Sequence, residues 1–326
     1  MTKPCLGPDP NPRPPKFPMP PGACDCHAHV FAAPEVYPYV PERSYTPPPA
    51  TLEAYQALHR VLGIERAVIV QPSVYGTDNR VTLEAIAGYG PNCRGVAVVD
   101  ETVNDKEIAR LNDGGVRGLR LNVGFGGGVG LYALEPLAER IADMGWHIQL
   151  LLDARIMEEL APRLRRLPVP VVVDHMGYMN VAHGMDHPGF EALLDLVRDG
   201  VSWIKLSGNY RISAESPPYA DAVPFARALI EAAKEHMIWG TDWPHPALND
   251  FMPNDGDLLD ALDDYAPEPD LKRAILVDNP SRRQEFDSSR LHQSKQGVGP
   301  NRAGPLPFWV AFWVAFRNEN RQYRGP

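Results

Sequence analysis

The strongest constraint on the fold is a regular alternation, between residues 22 and 280, of short β-rich runs with helical stretches. The helical stretches, such as TLEAYQALHRVL and AVPFARALIEAAKE, repeat apolar residues at three- and four-residue spacing. The β-rich runs, such as AVIV, VAVV and VVV, are nearly continuous in apolar residues, which is typical of parallel strands covered on both faces. Eight such runs occur, at residues 23–31, 66–71, 94–100, 118–123, 146–152, 169–174, 201–206 and 237–240.

Eight strands, each followed by a helix, predict an α/β protein with a closed (β/α)8 TIM barrel as a single domain, which we place at residues 23–284. An open, doubly wound sheet is the alternative, because the sequence does not show closure directly. Residues 1–22 are rich in proline and predict an extended arm that lies on the domain or is partly disordered. Residues 285–326 form a tail to which we assign no function; its run PFWVAFWVAF is too short to span a bilayer.

Composition excludes several classes of partner. The formal net charge of −9 at pH 7 argues against nucleic acid, whose recognition needs a basic face, but it does not exclude an anionic small molecule. The N-terminus lacks a basic region followed by an apolar core, and no apolar run approaches the roughly 20 residues of a membrane span. The four cysteines form no C-x-x-C motif. We therefore expect a cytoplasmic protein without a nucleic-acid or membrane partner, and we leave homo-oligomerisation open.

Reactive groups of parallel barrels stand where the strands meet the loops that follow them. The first run contains Asp-Cys-His-Ala-His, and its His27 and His29 share a face of the strand because they are two residues apart. The sixth run ends beside His175, and the eighth is followed by Asp242. Each residue alone is more simply explained as a buried structural histidine or a capping aspartate. Together they predict one centre at the mouth of the barrel, suited to a metal ion or to polarising a carbonyl group.

The order of the motifs HAH, DHMG and WGTDWPHP resembles that of the amidohydrolase superfamily, in particular the branch that contains 2-pyrone-4,6-dicarboxylate lactonase. The segments ERSYTPPPAT, GVRGLRLN and PPYADAVPFARALI extend the resemblance over most of the barrel. The resemblance implies hydrolysis of the ester bond of a carboxylated lactone, the expected small-molecule partner. In that reaction Asp242 takes a proton from water and passes it to the departing ring oxygen. His27, His29 and His175 polarise the carbonyl oxygen.

A carboxylated substrate needs cationic or hydrogen-bonding groups near this centre. Arg120 alternates with Gly118 and Asn122 in the fourth run and is expected to face inward, where it can bind a carboxylate. By resemblance, Arg211 is a second substrate arginine. The further predicted substrate-binding residues are Tyr45, Ser73, Tyr75 and His245.

The chain departs from this branch at positions that shape the substrate pocket. Gly126, within the stretch NVGFGGGVG, lies near the position of a lost arginine, and Leu151 stands about where the branch has a tyrosine. Val74 and Tyr75 replace a cysteine–histidine pair. One carboxylate anchor is therefore missing, and we expect a related lactone, such as a muconolactone-like acid, rather than the pyrone dicarboxylate itself. We expect the glycine-rich stretch to form a mobile lid.

Most amidohydrolases hold a divalent metal partly through a histidine of strand five. Here the fifth run reads WHIQLLLDA, and its His147 stands at the start of the strand, away from the mouth. A single ion such as Zn²⁺ has a reasonable ligand set in His27, His29, His175 and Asp242. Because the lactonase branch is understood to need no metal, the sequence favours chemistry without a cofactor. The alternatives are a metal-dependent hydrolase or decarboxylase acting on an aromatic or unsaturated carboxylic acid, and a non-catalytic ligand-binding barrel.

Overall fold

The computed structural model describes residues 2–284 and residue 286. Eight parallel strands form one nearly closed sheet in which each strand pairs with the next along the chain. This confirms the predicted (β/α)8 barrel and all eight predicted strands, whose bounds shift by a few residues at most. The strands are β1 Cys24–Ala28, β2 Arg66–Val70, β3 Cys93–Ala97, β4 Val116–Asn122, β5 His147–Leu151, β6 Val171–Val173, β7 Ser202–Leu206 and β8 Met237–Trp239.

Helices alternate with the strands and bury one face against the sheet. The α-helices of the described residues are α1 Leu52–Leu62, α2 Arg80–Tyr89, α3 Asp105–Asp113, α4 Leu134–Arg140, α5 Met157–Leu164, α6 Pro188–Arg198, α7 Asn209–Ile212, α8 Val223–Ala233, α9 Asp255–Asp260, α10 Leu262–Tyr265, α11 Pro269–Arg273 and α12 Asn279–Arg283. A π-helical segment, Ala274–Asp278, joins the last two. In α1 the hydroxyl of Thr51 accepts a hydrogen bond from the N–H of Ala54, and Gly63 ends the helix in the left-handed conformation.

The register of β4 and β5 sets which side chains face each other inside the barrel. Gly118 pairs with His147, and two residues further on Arg120 pairs with Gln149. A Cβ atom on Gly118 would lie 2.7 Å from the imidazole ring of His147, so only glycine fits there. His147 is the first residue of β5 and is fully buried, so it lies at the end of the barrel opposite the mouth, as expected.

The first and last strands meet at the mouth. The carboxylate of Asp25 in β1 accepts hydrogen bonds from the backbone N–H of Thr241 (2.9 Å) and from its hydroxyl (2.6 Å). The backbone N–H of Asp242 donates to the carbonyl of His27 over 2.8 Å. Gly240 permits this approach, because a Cβ atom there would lie 2.7 Å from the backbone of His27. The loops that carry the candidate functional residues are thereby held together.

The proline-rich arm lies along the barrel. The backbone N–H of Leu6 donates to the carbonyl of Leu248 (2.9 Å), and that of Lys16 donates to the carboxylate of Asp260 (2.7 Å). No helix within residues 2–284 is long and apolar enough to cross a membrane. The run PFWVAFWVAF of the predicted tail lies outside the described residues.

Candidate active site

Three histidines and one aspartate direct polar atoms to one point at the mouth of the barrel. The Nε2 atoms of His27, His29 and His175 lie 3.7, 3.9 and 3.7 Å from Oδ1 of Asp242. The Nε2 atoms of His27 and His29 are 3.2 Å apart. All four side chains are buried. The structure therefore places the four predicted catalytic side chains around one centre.

The partner of Nδ1 determines the tautomer of His29. Nδ1 lies 2.8 Å from the carbonyl oxygen of Val70, and because a carbonyl only accepts, Nδ1 carries the proton. Burial lowers the pKa of His29 to about 3, so the ring is neutral near pH 7 and Nε2 presents a lone pair. His29 can therefore accept a hydrogen bond or bind a cation through Nε2. This geometry does not suit the expected role of His29 as a donor to a carbonyl oxygen.

His27 can hold either neutral tautomer, because its Nδ1 lies 3.2 Å from both Oδ1 of Asp174 and Nζ of Lys205. When Lys205 donates to Nδ1, the Nε2–H of His27 donates to Nε2 of His29. When Asp174 accepts from Nδ1–H, the Nε2 of His27 turns a lone pair to the centre. Burial lowers the pKa of His27 well below its ordinary value, which keeps the ring neutral in both arrangements.

His175 and Asp242 both adopt left-handed backbone conformations, with φ of 51° and 64°. Such residues other than glycine cost about 1–3 kcal/mol each and concentrate at functional sites. Nδ1 of His175 is hydrogen-bonded to the hydroxyl of Ser207 over 2.9 Å, which orients the ring. Burial lowers the pKa of His175 to about 4, so it too is neutral near pH 7.

The two oxygens of Asp242 have different surroundings. Oδ2 accepts a hydrogen bond from the hydroxyl of Tyr210 (2.6 Å) and one from Nε of Arg211. Oδ1 is buried and has no hydrogen-bond partner among residues 2–284. Burial by itself would raise the pKa of Asp242, but the Arg211 guanidinium holds it well below its ordinary value. The carboxylate is therefore ionised, with one oxygen fixed and the other aimed at the centre.

This donor set fits a single divalent cation. Ligand atoms of His27, His175 and Asp242 all lie within 4.8 Å of one another. Tetrahedral ligands about 2.0–2.1 Å from Zn²⁺ are roughly 3.3–3.4 Å apart, close to the separations at this centre. Each ring is held at Nδ1 by a carboxylate, carbonyl or hydroxyl group, as metal-binding histidines usually are. Oδ1 of Asp242, which no hydrogen bond of residues 2–284 occupies, completes the set without a ligand from β5.

Sequence reasoning missed a buried polar layer beneath this centre. Nζ of Lys205 in β7 donates to Oε1 of Gln149 (2.7 Å) and lies 3.3 Å from Oδ1 of Asp174. Oδ2 of Asp174 accepts from Nε and Nη2 of Arg120 (3.2 and 3.0 Å). Burial alone would raise the pKa of Asp174, but Lys205, His27 and Arg120 hold it well below its ordinary value. The one sequence signal was a lysine inside the apolar run VSWIKL.

The centre opens into a small cleft. Three of the six predicted substrate-binding residues, Tyr45, Arg120 and Arg211, line it. Burial raises the pKa of Tyr45 to about 12, so its hydroxyl is a neutral donor. Among the hydrogen bonds of the described residues, none uses Nη1 of Arg211, which leaves that group for an anion. The residues that line the cleft are His29, Tyr45, Arg120, Asn122, Phe125, Leu151, His175, Tyr178, Arg211, Asp242 and Pro246.

The other three predicted substrate-binding residues do not line the cleft. Ser73 is buried beside Tyr45. The hydroxyl of Tyr75 accepts a hydrogen bond from the backbone N–H of Ala32 over 3.0 Å. His245 is fully buried, with Nδ1 3.0 Å from the hydroxyl of Tyr210 and Nε2 3.1 Å from a carboxylate oxygen of Asp255. Tyr210 in turn donates to Asp242, so His245 contacts the catalytic centre through Tyr210.

Hydrogen bonds to Asn122 and Ser44 hold the glycine-rich stretch in place. The side-chain oxygen of Asn122 accepts from the N–H groups of Gly124 (2.9 Å) and Phe125 (3.0 Å). The N–H of Gly126 donates to the hydroxyl of Ser44 over 2.7 Å. A Cβ atom at Gly126 would lie 2.3 Å from a backbone oxygen of a neighbouring loop, so this backbone admits no side chain there. Movement of the stretch as a lid remains a prediction.

Residues 24–282 match the sequence model of a family described as Amidohydrolase. The chain belongs to the amidohydrolase family. It is 41% identical over 283 residues to 4-sulfomuconolactone hydrolase of Hydrogenophaga intermedia, with 85% of this chain and 93% of the relative covered. It is 41% identical over 286 residues to 2-pyrone-4,6-dicarboxylate hydrolase of Comamonas testosteroni, with 83% and 93% covered.

Solved structures of the family support the same assignment. The structure of a probable 2-pyrone-4,6-dicarboxylic acid hydrolase from Acinetobacter baumannii, with citric acid bound, superposes with a TM-score of 0.74 at 28% identity. The match covers 81% of this chain and 100% of that one. The resemblance predicted from the motifs is thus confirmed.

Proposed function

We propose that this enzyme hydrolyses the ester bond of a lactone that carries a carboxylate. One observation carries the proposal: a buried oxygen of Asp242 that has no hydrogen-bond partner among residues 2–284 faces three imidazole nitrogens, at the floor of a cleft that two arginines line. The relatives at 41% identity, named as hydrolases of a muconolactone and of a pyrone, support it. The chain covers 93% of the length of each.

Substrate binding follows from the charges that line the cleft. Arg211 presents Nη1, and Arg120 is held in place by its two hydrogen bonds to Asp174. Charge-assisted hydrogen bonds from these guanidinium groups to a carboxylate orient the lactone. The hydroxyl of Tyr45 adds a neutral donor from the same wall. The ester carbonyl is thereby directed to the floor, where Asp242 lies.

Asp242 then moves a proton. The attacking water donates a hydrogen bond to Oδ1, and its proton passes to Oδ1 as the water oxygen bonds to the carbonyl carbon. Tyr210 and Arg211 occupy Oδ2, so the transferred proton stays on Oδ1, facing the substrate. Asp242 returns this proton to the ring oxygen as the carbon–oxygen bond breaks. The water oxygen remains in the new carboxylic acid, and the product is an open-chain hydroxy or keto acid.

A carboxylate with a lowered pKa is a weak base, so the electrophile must also be activated. A divalent cation, when held by His27, His29, His175 and Asp242, would polarise the carbonyl and acidify the water. Without it, His175 is the group able to donate to the carbonyl oxygen, because the Nε2–H of His27 is directed to Nε2 of His29. The lone pair on Nε2 of His29 excludes that residue from this role.

The test is a panel of carboxylated lactones and 2-pyrones, followed by proton release, with metal content measured in the same preparation. We expect hydrolysis of at least one member, and its loss in Asp242→Asn. Activity that survives chelation assigns the reaction to protein groups alone, as the sequence resemblance favours. Activity lost on chelation and restored by Zn²⁺ or Mn²⁺ assigns the cation to the centre. Hydrolysis of no member in either state, or carbon dioxide release from an unsaturated acid, overturns the proposal.

A further inference from the structure

A second hollow of about 330 Å³ opens beside the catalytic cleft. Two of its wall residues, Leu151 and Tyr178, also line the cleft, so the two spaces are neighbours across those side chains. We name this hollow the apolar annex. It is lined by Val123, Gly124, Leu151, Leu152, Asp153, Ile156 and Tyr178.

The annex leaves apolar side chains in contact with water. Val123 is 45% exposed and Ile156 is 39% exposed, and both belong to the few large hydrophobic residues that are exposed in the described chain. Exposed apolar groups that gather beside a polar site are a common sign of ligand binding. Their removal from water by a ligand would favour binding in proportion to the apolar area covered.

The charges around the annex disfavour an anionic occupant. Its one charged lining residue, Asp153, pairs with Arg155 over 2.7 Å and accepts a hydrogen bond from the backbone N–H of the same residue over 2.9 Å. Among the described residues, no lysine or arginine lines the annex. The positive charge of Arg155 is already balanced by Asp153, so it is not available to a carboxylate or sulfonate in the annex. The cleft, in contrast, has Arg120 and Arg211 in its wall.

We infer that the annex binds an apolar substituent of the lactone while the arginines of the cleft bind its carboxylate. The substrate class is then a monocarboxylated lactone with an alkyl or aryl substituent, which passes Leu151 and Tyr178 into the annex. This inference rests on the proposed lactone hydrolysis and specifies its substrate. It makes the annex the part of the site that determines specificity.

The test compares kcat/KM for carboxylated lactones that differ only in an n-alkyl substituent of zero to four carbons. Each methylene that enters the annex should raise kcat/KM about three- to fourfold, up to the size of the hollow. A second carboxylate at the same position should lower kcat/KM below that of the unsubstituted lactone.

Gly124 offers a variant that fills the annex without touching the catalytic residues. A Cβ atom there would meet its nearest neighbours, in Asn122 and Leu151, at 3.7–3.8 Å, an ordinary contact distance. Gly124→Val should therefore fold and remove most of the gain in kcat/KM from alkyl groups, measured as the ratio to the unsubstituted lactone on the same variant. The matched control is Gly130→Val, on the same stretch, where φ is −90° and the nearest contact is 3.4 Å from Tyr132.

The outcomes separate the inference from the proposed function. If no carboxylated lactone is hydrolysed, the proposed function fails. If lactones are hydrolysed but kcat/KM does not rise with alkyl length, the inference alone is overturned. A rise that Gly124→Val leaves intact also overturns it, because the alkyl group would then lie elsewhere. A rise that disappears in Gly124→Val but persists in Gly130→Val supports it.

Discussion

Replacing Asp174 with Asn would remove the negative charge from a buried layer in which Arg120 and Lys205 carry the positive charges. Both cations contact this carboxylate, at 3.0 and 3.3 Å, and none of the three side chains is more than 4% exposed. Asn has the same shape but leaves the two cations close together without an anion. Breaking a buried ion pair in this way costs about 3–5 kcal/mol of the free energy of unfolding.

The partner substitution should cost much less. Lys205→Met leaves Arg120 and Asp174 as a balanced pair and deprives Oε1 of Gln149 of its donor, which costs about 1–2 kcal/mol. In the Asp174→Asn background, Lys205→Met should be neutral or stabilising, because it removes a repelling cation. The two effects are therefore strongly non-additive.

Urea unfolding at pH 7, followed by tryptophan fluorescence, measures the free energy of unfolding of each variant. The values can be compared as long as the variants have the same m-value. Asp199→Asn is the matched control: its pair with Arg165 is 2.8 Å long but about half exposed, so it should cost less than about 1 kcal/mol. The reasoning fails if Asp174→Asn costs no more than this control, or if Lys205→Met destabilises as much as Asp174→Asn.

Three further predictions concern the site and the pH dependence. Asp242→Asn should lower kcat about 10²- to 10⁴-fold without changing the circular dichroism spectrum. Near-normal turnover would refute the assignment of Asp242 as the general base. Tyr210→Phe should lower kcat about tenfold with little change in KM, because it frees the fixed oxygen of Asp242; a rise in KM alone would contradict this. Burial lowers the pKa of His147 in the folded protein well below its value in the unfolded chain. Below about pH 6.5 the unfolded chain therefore binds a proton at His147 that the folded protein does not bind. The free energy of unfolding then falls by up to about 1.4 kcal/mol for each unit by which the pH is lowered. In His147→Met, the free energy of unfolding measured with urea should fall less between pH 7 and pH 5 than in the unchanged protein. The same pH dependence in both proteins would contradict a lowered pKa of His147.

The strands and the central cluster could be predicted because both follow from short-range patterns. Apolar runs flanked by helical periodicity identify buried parallel strands, and a two-residue spacing places His27 and His29 on one face. Because all strands of a barrel end at the same mouth, His175 and Asp242 could be assigned to that centre without knowing any contact.

The supporting groups could not be predicted, because they depend on register and on long loops. Lys205 looks like the end of an ordinary strand until the register of β5 to β7 brings Gln149 and Asp174 within reach. Asp255 reaches His245 only through the path of the loop after β8. His245 was assigned to substrate from the sequence, but it is buried against Tyr210 and Asp255 and does not line the cleft.

The junction of β1 and β8 has a consequence for how activity arises during synthesis. His27 and His29 leave the ribosome early, whereas Thr241 and Asp242, which hold and complete their centre, are made about two hundred residues later. A nascent or truncated chain that ends before Thr241 has three of the four central side chains but no Asp242 and no bond to Asp25. On the proposed mechanism, turnover requires that the last strand has docked on the first, and we expect a barrel that lacks this junction to be inactive.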